Sequence, residues 1–226
     1  MLILAVDTSG RNGSVALCSA DAANFELLQL SEIEGGTYSA RLVPTVADLL
    51  RRTNHTKAQL DLLVVVDGPG SFTGLRVGLS TVKALCEVLA KPLVVVSMLE
   101  ALAVHYGNDG ETITTLLDAG RGELYIGDYQ VSGRGAKRVR ESIAKLDEFV
   151  PQIASRRSRI VTPVTKIAEI IANARSDVAL VNALQADAVG RIGLRKFLAG
   201  EVADPTTLDA NYIRRSDAEL FSTPKP

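Results

Sequence analysis

Two aspartates that each close an apolar run and open a polar turn are the residues of this chain best suited to chemistry. Asp7 follows Leu2-Ile3-Leu4-Ala5-Val6 and enters Thr8-Ser9-Gly10-Arg11; Asp118 follows Thr115-Leu116-Leu117 and enters Ala119-Gly120-Arg121. Facing each other in a two-lobed α/β protein, such turns could hold a magnesium nucleotide. The carboxylates would bind Mg²⁺ through water, and Thr8, Ser9 and backbone N–H groups would meet phosphate. The plainer role for each aspartate is to accept a bond from its own turn.

The second candidate is Asp67-Gly68-Pro69-Gly70-Ser71-Phe72-Thr73-Gly74-Leu75-Arg76-Val77-Gly78, which follows the apolar run Leu60 to Val66. A glycine-rich bend feeding a helix gathers free N–H groups into an anion cradle. The spacing fits no familiar version. A P-loop has Gly-Lys-Ser/Thr where Gly74-Leu75-Arg76 stands, the dinucleotide fingerprint has Gly where Thr73 stands, and a nucleophile elbow has Gly in place of Pro69 and Thr73. A tight turn made for packing accounts for it equally well, with Gly68, Pro69, Gly70 and Gly74 as structural residues and Ser71 or Thr73 as the helix cap.

Other chemistries find little support. His55 and His105 are not spaced for zinc, and no HExxH occurs. Cys18 and Cys86 sit in apolar segments, as core thiols of a reducing compartment do. Arg134, Lys137, Arg138 and Arg140, with Arg156, Arg157 and Arg159, form basic clusters that either assist a nucleic acid held mainly by something else or make a solvated face. With 25 Lys and Arg against 26 Asp and Glu, the chain has no general excess of positive charge to hold nucleic acid unaided. The N-terminus lacks the basic region of a signal peptide, and no apolar run reaches membrane-spanning length. A cytoplasmic protein with no membrane contact is expected.

The elements that must position these residues follow from periodicity. Leu2 to Asp7, Ser14 to Cys18 and Phe25 to Leu30 read as strands, then a helix runs from about Thr37 or Ser39 to Arg52, with Pro44 near its first turn. Leu60 to Val66 reads as a strand buried on both faces. A helix from Leu75 to Ala90, strand Leu93 to Val96 and a helix capped by Ser97 complete the order βββαβαβα. Gly107-Asn108-Asp109-Gly110 reads as a hinge, so residues 1–106 form one lobe and 107–226 a smaller second one with an extended tail. The second half opens like the first, with an apolar strand, then Asp, then Gly-Arg, a weak internal repeat. It continues with strands Glu123 to Gln130 and Lys137 to Ser142 and helix Leu146 to Ile153. Strand Ile160-Val161, helix Thr165 to Ala174, strand Val178 to Val181 and helix Ala183 to Leu198 follow, then a frayed tail.

The helix after the glycine bend is apolar on more than one side. One stripe is Leu75, Gly78, Leu79, Val82, Leu85, Cys86 and Leu89; beside it runs Val77, Thr81, Ala84 and Val88. A surface helix needs one apolar face, and two faces need two things to pack on. The wide stripe is expected to face the chain's own sheet. The narrow one is expected to face a partner, unless another helix of the same chain covers it.

Leu4-Ala5-Val6-Asp7-Thr8-Ser9, Ser39-Ala40-Arg41-Leu42-Val43-Pro44, the run Asp67 to Gly78 and Asp118-Ala119-Gly120-Arg121-Gly122-Glu123-Leu124-Tyr125 resemble the TsaB (YeaZ) family, over roughly residues 1 to 130 with a looser echo at Tyr212-Ile213-Arg214. Two positions depart from the family's pattern: Val66-Asp67 replaces Gly-Arg before Gly-Pro-Gly, and Tyr38 stands where histidine is common. The paralogue TsaD carries two metal-binding histidines one helical turn apart, and this sequence has no such pair.

The resemblance implies a two-lobed actin-like, hsp70-like (ASKHA) α/β fold. It also implies a non-catalytic subunit that pairs with TsaD. With TsaE and ATP, that complex moves threonylcarbamoyl from its adenylate to the adenosine beside the anticodon of ANN-decoding tRNAs. It places the TsaD interface on the two first-lobe helices, here Ser39, Leu42, Val43, Val46 and Leu50, with Ser71, Phe72, Thr73, Arg76, Val77, Thr81, Ala84 and Val88. No intrinsic cofactor is implied beyond weak nucleotide binding at Asp7, Thr8, Ser9 and Asp118, no metal is expected, and tRNA is met only through the complex. In isolation the exposed patch predicts a homodimer. The alternative is an ATP-binding phosphotransferase or ATPase of the actin-like, sugar-kinase class.

Overall fold

The computed structural model describes residues 1–133, 135–175, 177–211 and 213. Arg134, Tyr212, Arg214 and the tail expected at 223–226 lie outside the described residues. The chain runs β1 (Leu2–Asp7), β2 (Asn12–Ala20), β3 (Phe25–Glu34), α1 (Tyr38–Arg52), β4 (Leu62–Gly68), α2 (Phe72–Leu89), β5 (Leu93–Ser97) and α3 (Met98–Tyr106). It then repeats that order as β6 (Thr112–Gly120), β7 (Glu123–Ser132), β8 (Gly135–Lys145), α4 (Leu146–Ile153), β9 (Arg159–Thr162), α5 (Thr165–Ala172), β10 (Val178–Leu180) and α6 (Ala186–Leu198). The sheets are ordered β3-β2-β1-β4-β5 and β8-β7-β6-β9-β10. In both, the first three strands are antiparallel and the rest add in parallel. The faint Asp…Gly-Arg echo in the sequence is thus the trace of a duplicated topology. Two mixed sheets flanked by helices make the chain a two-lobed actin-like α/β protein.

Every residue of β1 is buried because the first sheet is covered on both faces. Alternation along β1 and β4 sends Ala5 and Val64, which are register partners, to the same face. That face receives α6, whose Gly190 and Gly193 bring its backbone against Ala5 and Val64. The opposite face carries α1 and α2. In the second lobe, α4 and α5 cover one face through Leu116, Ile126, Phe149, Ile160 and Ile171. The other face packs on α3 through Leu99, Ala103, Tyr125 and Tyr129. The closing helix of each repeat has therefore crossed to the other lobe. A division at residue 107 separates the repeats but not the hydrophobic cores.

Two local expectations are corrected. β3 continues past Leu30 to Glu34 because β2 offers it a partner to the end, Asn12 opposite Glu34. Pro44 stands in the second turn of α1 rather than near the first. The helical bond it cannot make would go to Ala40, an exposed position where water can serve the carbonyl.

Candidate functional site

Asp7 is buried, and its Oδ1 accepts bonds from the Ser9 amide and hydroxyl at 2.8 and 2.6 Å. Burial lifts its carboxyl above the ordinary range, against the pull of those two bonds. Asp118 is exposed and accepts from the Gly120 amide at 2.7 Å. Each aspartate thus closes its own turn, and both turns also border one cleft of about 940 Å³ between the lobes. Ser9 joins them there. Thr8 does not: it is fully buried, and its hydroxyl donates to the Gly74 carbonyl at 2.8 Å, which removes it from any ligand. Two carboxylates, each with an oxygen already engaged, make a thin donor set. A magnesium nucleotide would have to bring most of its own ligands.

The glycine bend is built for close approach. A Cβ added at Gly70 would collide with the Ser9 carbonyl, one at Gly74 with the Thr8 carbonyl, and one at Gly78 with the Thr8 hydroxyl. Three glycines four residues apart thus lay the first two turns of α2 directly on the Asp7 turn. Gly68 has φ +142°, where side chains are disfavoured, and Pro69 follows it. The Ser71 amide donates to Ser9 O at 2.7 Å, and the Ser71 hydroxyl caps the helix by accepting from the Gly74 amide at 3.2 Å. Two N–H groups that a phosphate cradle would use are therefore taken, and Ser71 rather than Thr73 is the cap. Tyr38 fills the space between Gly13 and Gly74 and donates to the Gly10 carbonyl at 2.9 Å. Gly78→Ala is expected to destabilise the chain by about 1–3 kcal/mol through overpacking against Thr8. Urea melts should show this as a lower midpoint with an unchanged slope, and an unaltered midpoint would contradict the packing role.

The two apolar stripes of α2 have different fates. Leu75, Gly78, Leu79, Val82 and Cys86 are buried against the first sheet. Beside them Val77 and Thr81 are half-buried, Val77 packing in part against the core, while Ala84 is exposed and Val88 is 75 % exposed, so among the described residues no helix covers the Ala84 and Val88 end of that stripe. On α1, Val43 is 60 % exposed, with Ser39 and Ala47 exposed nearby. Phe72, 38 % exposed with Arg76 stacked over its ring, and the exposed Thr73 extend the surface at the start of α2. Leu42, Val46 and Leu50 are corrected: all three are buried in the chain's own core and present nothing to a partner. In the chain Leu42 and Val46 stand next to Val43 and Ala47, and Leu50 follows Ala47 by one turn; only the position of the sheet separates the two sets.

A buried polar junction between the lobes escaped the sequence reading. Glu141 of β8 accepts from Ser97 at 2.9 Å, from Asn211 at 3.1 Å and from the Tyr129 hydroxyl. Asp67 points into the same region with Oδ1 buried and, among the described residues, without a partner. Burial, then the charge of Glu141, pushes its carboxyl up to about 6, against the pull of Lys196. These groups come from five separate elements, so no spacing could have announced them.

The remaining candidates are quiet. Cys18 is buried with its thiol pushed up to about 12 by burial, and the Cys86 thiol donates to Lys91 O at 2.8 Å. His55 lies in the loop after α1 and His105 in α3, and among the described residues no cluster of His, Cys, Asp and Glu could hold a metal. Among the described residues no helix is long and apolar enough to cross a membrane.

Comparison with known proteins follows the same lines. The family model described as "TsaD: tRNA N6-adenosine threonylcarbamoyltransferase" matches residues 32–186. The chain is 36% identical over 130 residues to the tRNA threonylcarbamoyladenosine biosynthesis protein TsaB of Bacillus subtilis, covering 58% of this chain and 56% of that protein. It is 31% identical over 150 residues to the Escherichia coli protein of the same name, covering 65% and 62%. The matched stretch thus spans somewhat over half the length of these curated relatives. Among solved structures, YeaZ from Pseudomonas aeruginosa superposes with a TM-score of 0.70 at 22% identity, over 92% of this chain and 98% of that one. The ADPNP-bound activator of a Clostridium difficile dehydratase aligns with a TM-score of 0.50 at 11% identity, over 90% and 99%, a likeness of fold alone.

Proposed function

We infer the function of this chain from its family: it belongs to the TsaD family, among the TsaB (YeaZ) proteins. On this reading it is a non-catalytic subunit in the making of threonylcarbamoyladenosine in tRNA. It binds TsaD and holds it in shape, TsaE and ATP join the larger assembly, and the transfer itself takes place on TsaD. The observation that carries this reading is the stripe Val77, Ala84 and Val88, half-buried at Val77 and open at Ala84 and Val88, with Val43 exposed on α1. Each valine buried there contributes ~1.5–3 kcal/mol before association costs. Association itself costs about 4–15 kcal/mol, so these side chains are the apolar centre of a wider matching face rather than the whole of it. Without TsaD the same stripe pairs two copies of this chain.

Co-purification with the cognate TsaD, followed by a modification assay on tRNA with TsaE and ATP, tests the reading. A complex and modification that needs this chain are expected; a TsaD that works at full rate without it would overturn the proposal. A nucleotide-using enzyme is the second reading, favoured by Asp7 and Asp118 bordering one cleft. Micromolar binding of Mg-ATP to the isolated chain would shift the assignment toward it.

A further inference from the structure

We propose that the α4-side face of the second sheet, at its β8 edge, is a docking surface for the phosphate backbone of folded RNA. Residues 134 to 159 hold eight Lys and Arg against three acidic residues, in a chain of formal net charge −1. β8 is an edge strand, so its outer side is open. Its register sets Arg140 opposite Asp128 and Lys137 opposite Gln130 of β7. Directly opposed residues share a face of the sheet. Lys137 and Arg140 therefore stand on the face that carries Asp128, where Arg156 pairs with Asp128 at 2.6 Å. There a shallow groove of about 660 Å³ is bordered by Arg156, Arg157, Arg159, Arg175 and the exposed Val139. The carboxylates of Glu111, Asp128 and Asp177 border it too, with Lys137 and Arg140 on the strand edge beside it rather than in its lining.

The charges of the groove and of the β8 edge beside it do not balance. Asp128 holds Arg156, Glu111 holds Arg159 at 2.7 Å, and Asp177 holds Arg175. Lys137, Arg140 and Arg157 are exposed, and among the described residues no carboxylate pairs with them. A guanidinium carries five N–H donors, so the paired arginines still have donors to offer a phosphate. Val139 is the single apolar side chain bordering the groove among the described residues, which is too little for the apolar centre of a protein interface. Among the described residues no aromatic ring borders it for stacking of unpaired bases. What remains fits a helical backbone read by charge and shape, without sequence preference. The choice of RNA rests on the tRNA-modification reading above.

The test is fluorescence anisotropy of labelled tRNA, and of a plain RNA duplex, titrated with the full chain at about 50 and about 200 mM salt. Three phosphate contacts predict an affinity falling by roughly 2–3 log units per log unit of salt. The triple variant Lys137→Glu, Arg140→Glu, Arg157→Glu should weaken binding at least roughly tenfold and flatten that slope. A charge-matched control in the first lobe, Arg41→Glu, Arg52→Glu, Lys57→Glu, should leave both unchanged. All six positions are exposed, and among the described residues only Arg52 of the six gives up an ion pair, an exposed one with Asp48, so both variants should stay folded with melting curves close to wild type.

Equal loss in the control, no loss in the triple variant, or no RNA binding at all would overturn the surface. So would competition by polyglutamate as strong as by RNA, which would point to an acidic protein. Duplex binding that persists while TsaD co-purification fails would retain the surface and remove the pathway. The reverse pattern would remove the surface alone.

Discussion

Val88→Glu combined with Val77→Glu is expected to weaken the TsaD complex by about a hundredfold or more while the isolated chain stays folded. Val88 is 75 % exposed and Val77 half-buried, so neither change opens a cavity in the chain's own core. At the exposed Val88 the change shifts stability by about 0.5 kcal/mol or less, and glutamate is at least as good a helix former as valine. At Val77, which packs in part against the core, it costs about 1 kcal/mol, too little to unfold the chain. In a complex that covers the stripe, each glutamate would be stripped of water with no cation to meet it. That costs several kcal/mol per charge, and each ~1.4 kcal/mol is a factor of ten in the dissociation constant. Titration calorimetry with TsaD, beside a thermal melt of the free chain, separates the two effects. The same variant should turn the isolated chain monomeric in light scattering. Full affinity for TsaD in a folded double variant would place the interface elsewhere. Leu42→Glu makes the useful contrast: it is buried at 1 %, so it should unfold the chain rather than uncouple the complex.

Asp67→Asn is expected to stabilise the chain by about 2–3 kcal/mol at neutral pH, an advantage that disappears in acid. The carboxyl of Asp67 titrates at about 6 in the folded chain, against an ordinary value of 3.8. Its charged form is disfavoured by burial and by Glu141, so the folded state holds its proton more tightly than the unfolded state does. Between the two values the folded state binds more protons, so stability falls as pH rises from about 4 through 6 and stays low above that. A tenfold difference in proton affinity between the two states corresponds to about 1.4 kcal/mol, which sets the size of the effect. Asparagine lacks the charge and brings an amide donor toward Glu141. Lys196, Glu100 and Tyr129 border the same junction; Lys196 is held by Glu100 at 3.1 Å and Tyr129 donates to Glu141. Urea melts of both forms from pH 4 to pH 8 supply the check. A difference that does not change with pH would mean that Asp67 is charged throughout and paired in some other way.

The elements themselves were legible in the residues. Uninterrupted apolar runs such as Leu62-Leu63-Val64-Val65-Val66 announce strands covered on both faces, and the helix after the glycine bend carries its period openly. The second stripe could be counted as surplus from residue types and spacing alone, because its apolar side chains exceed what one sheet can cover. Thr8 beneath Gly74 and Gly78, and Leu42 beside Val43, were not separable in this way. A helical period gives the angle between side chains but not the direction in which the sheet lies. The Asp67–Glu141 junction and the basic groove lay further out of reach, since each gathers residues from strands and helices far apart in the chain. Local preference along the backbone, which neighbouring residues set among themselves, determined the strands, helices and turns. Which surfaces were buried, and which charges met, was decided only when α3 and α6 crossed between the lobes, because burial and Coulomb energy depend on distances through space that chain order does not contain.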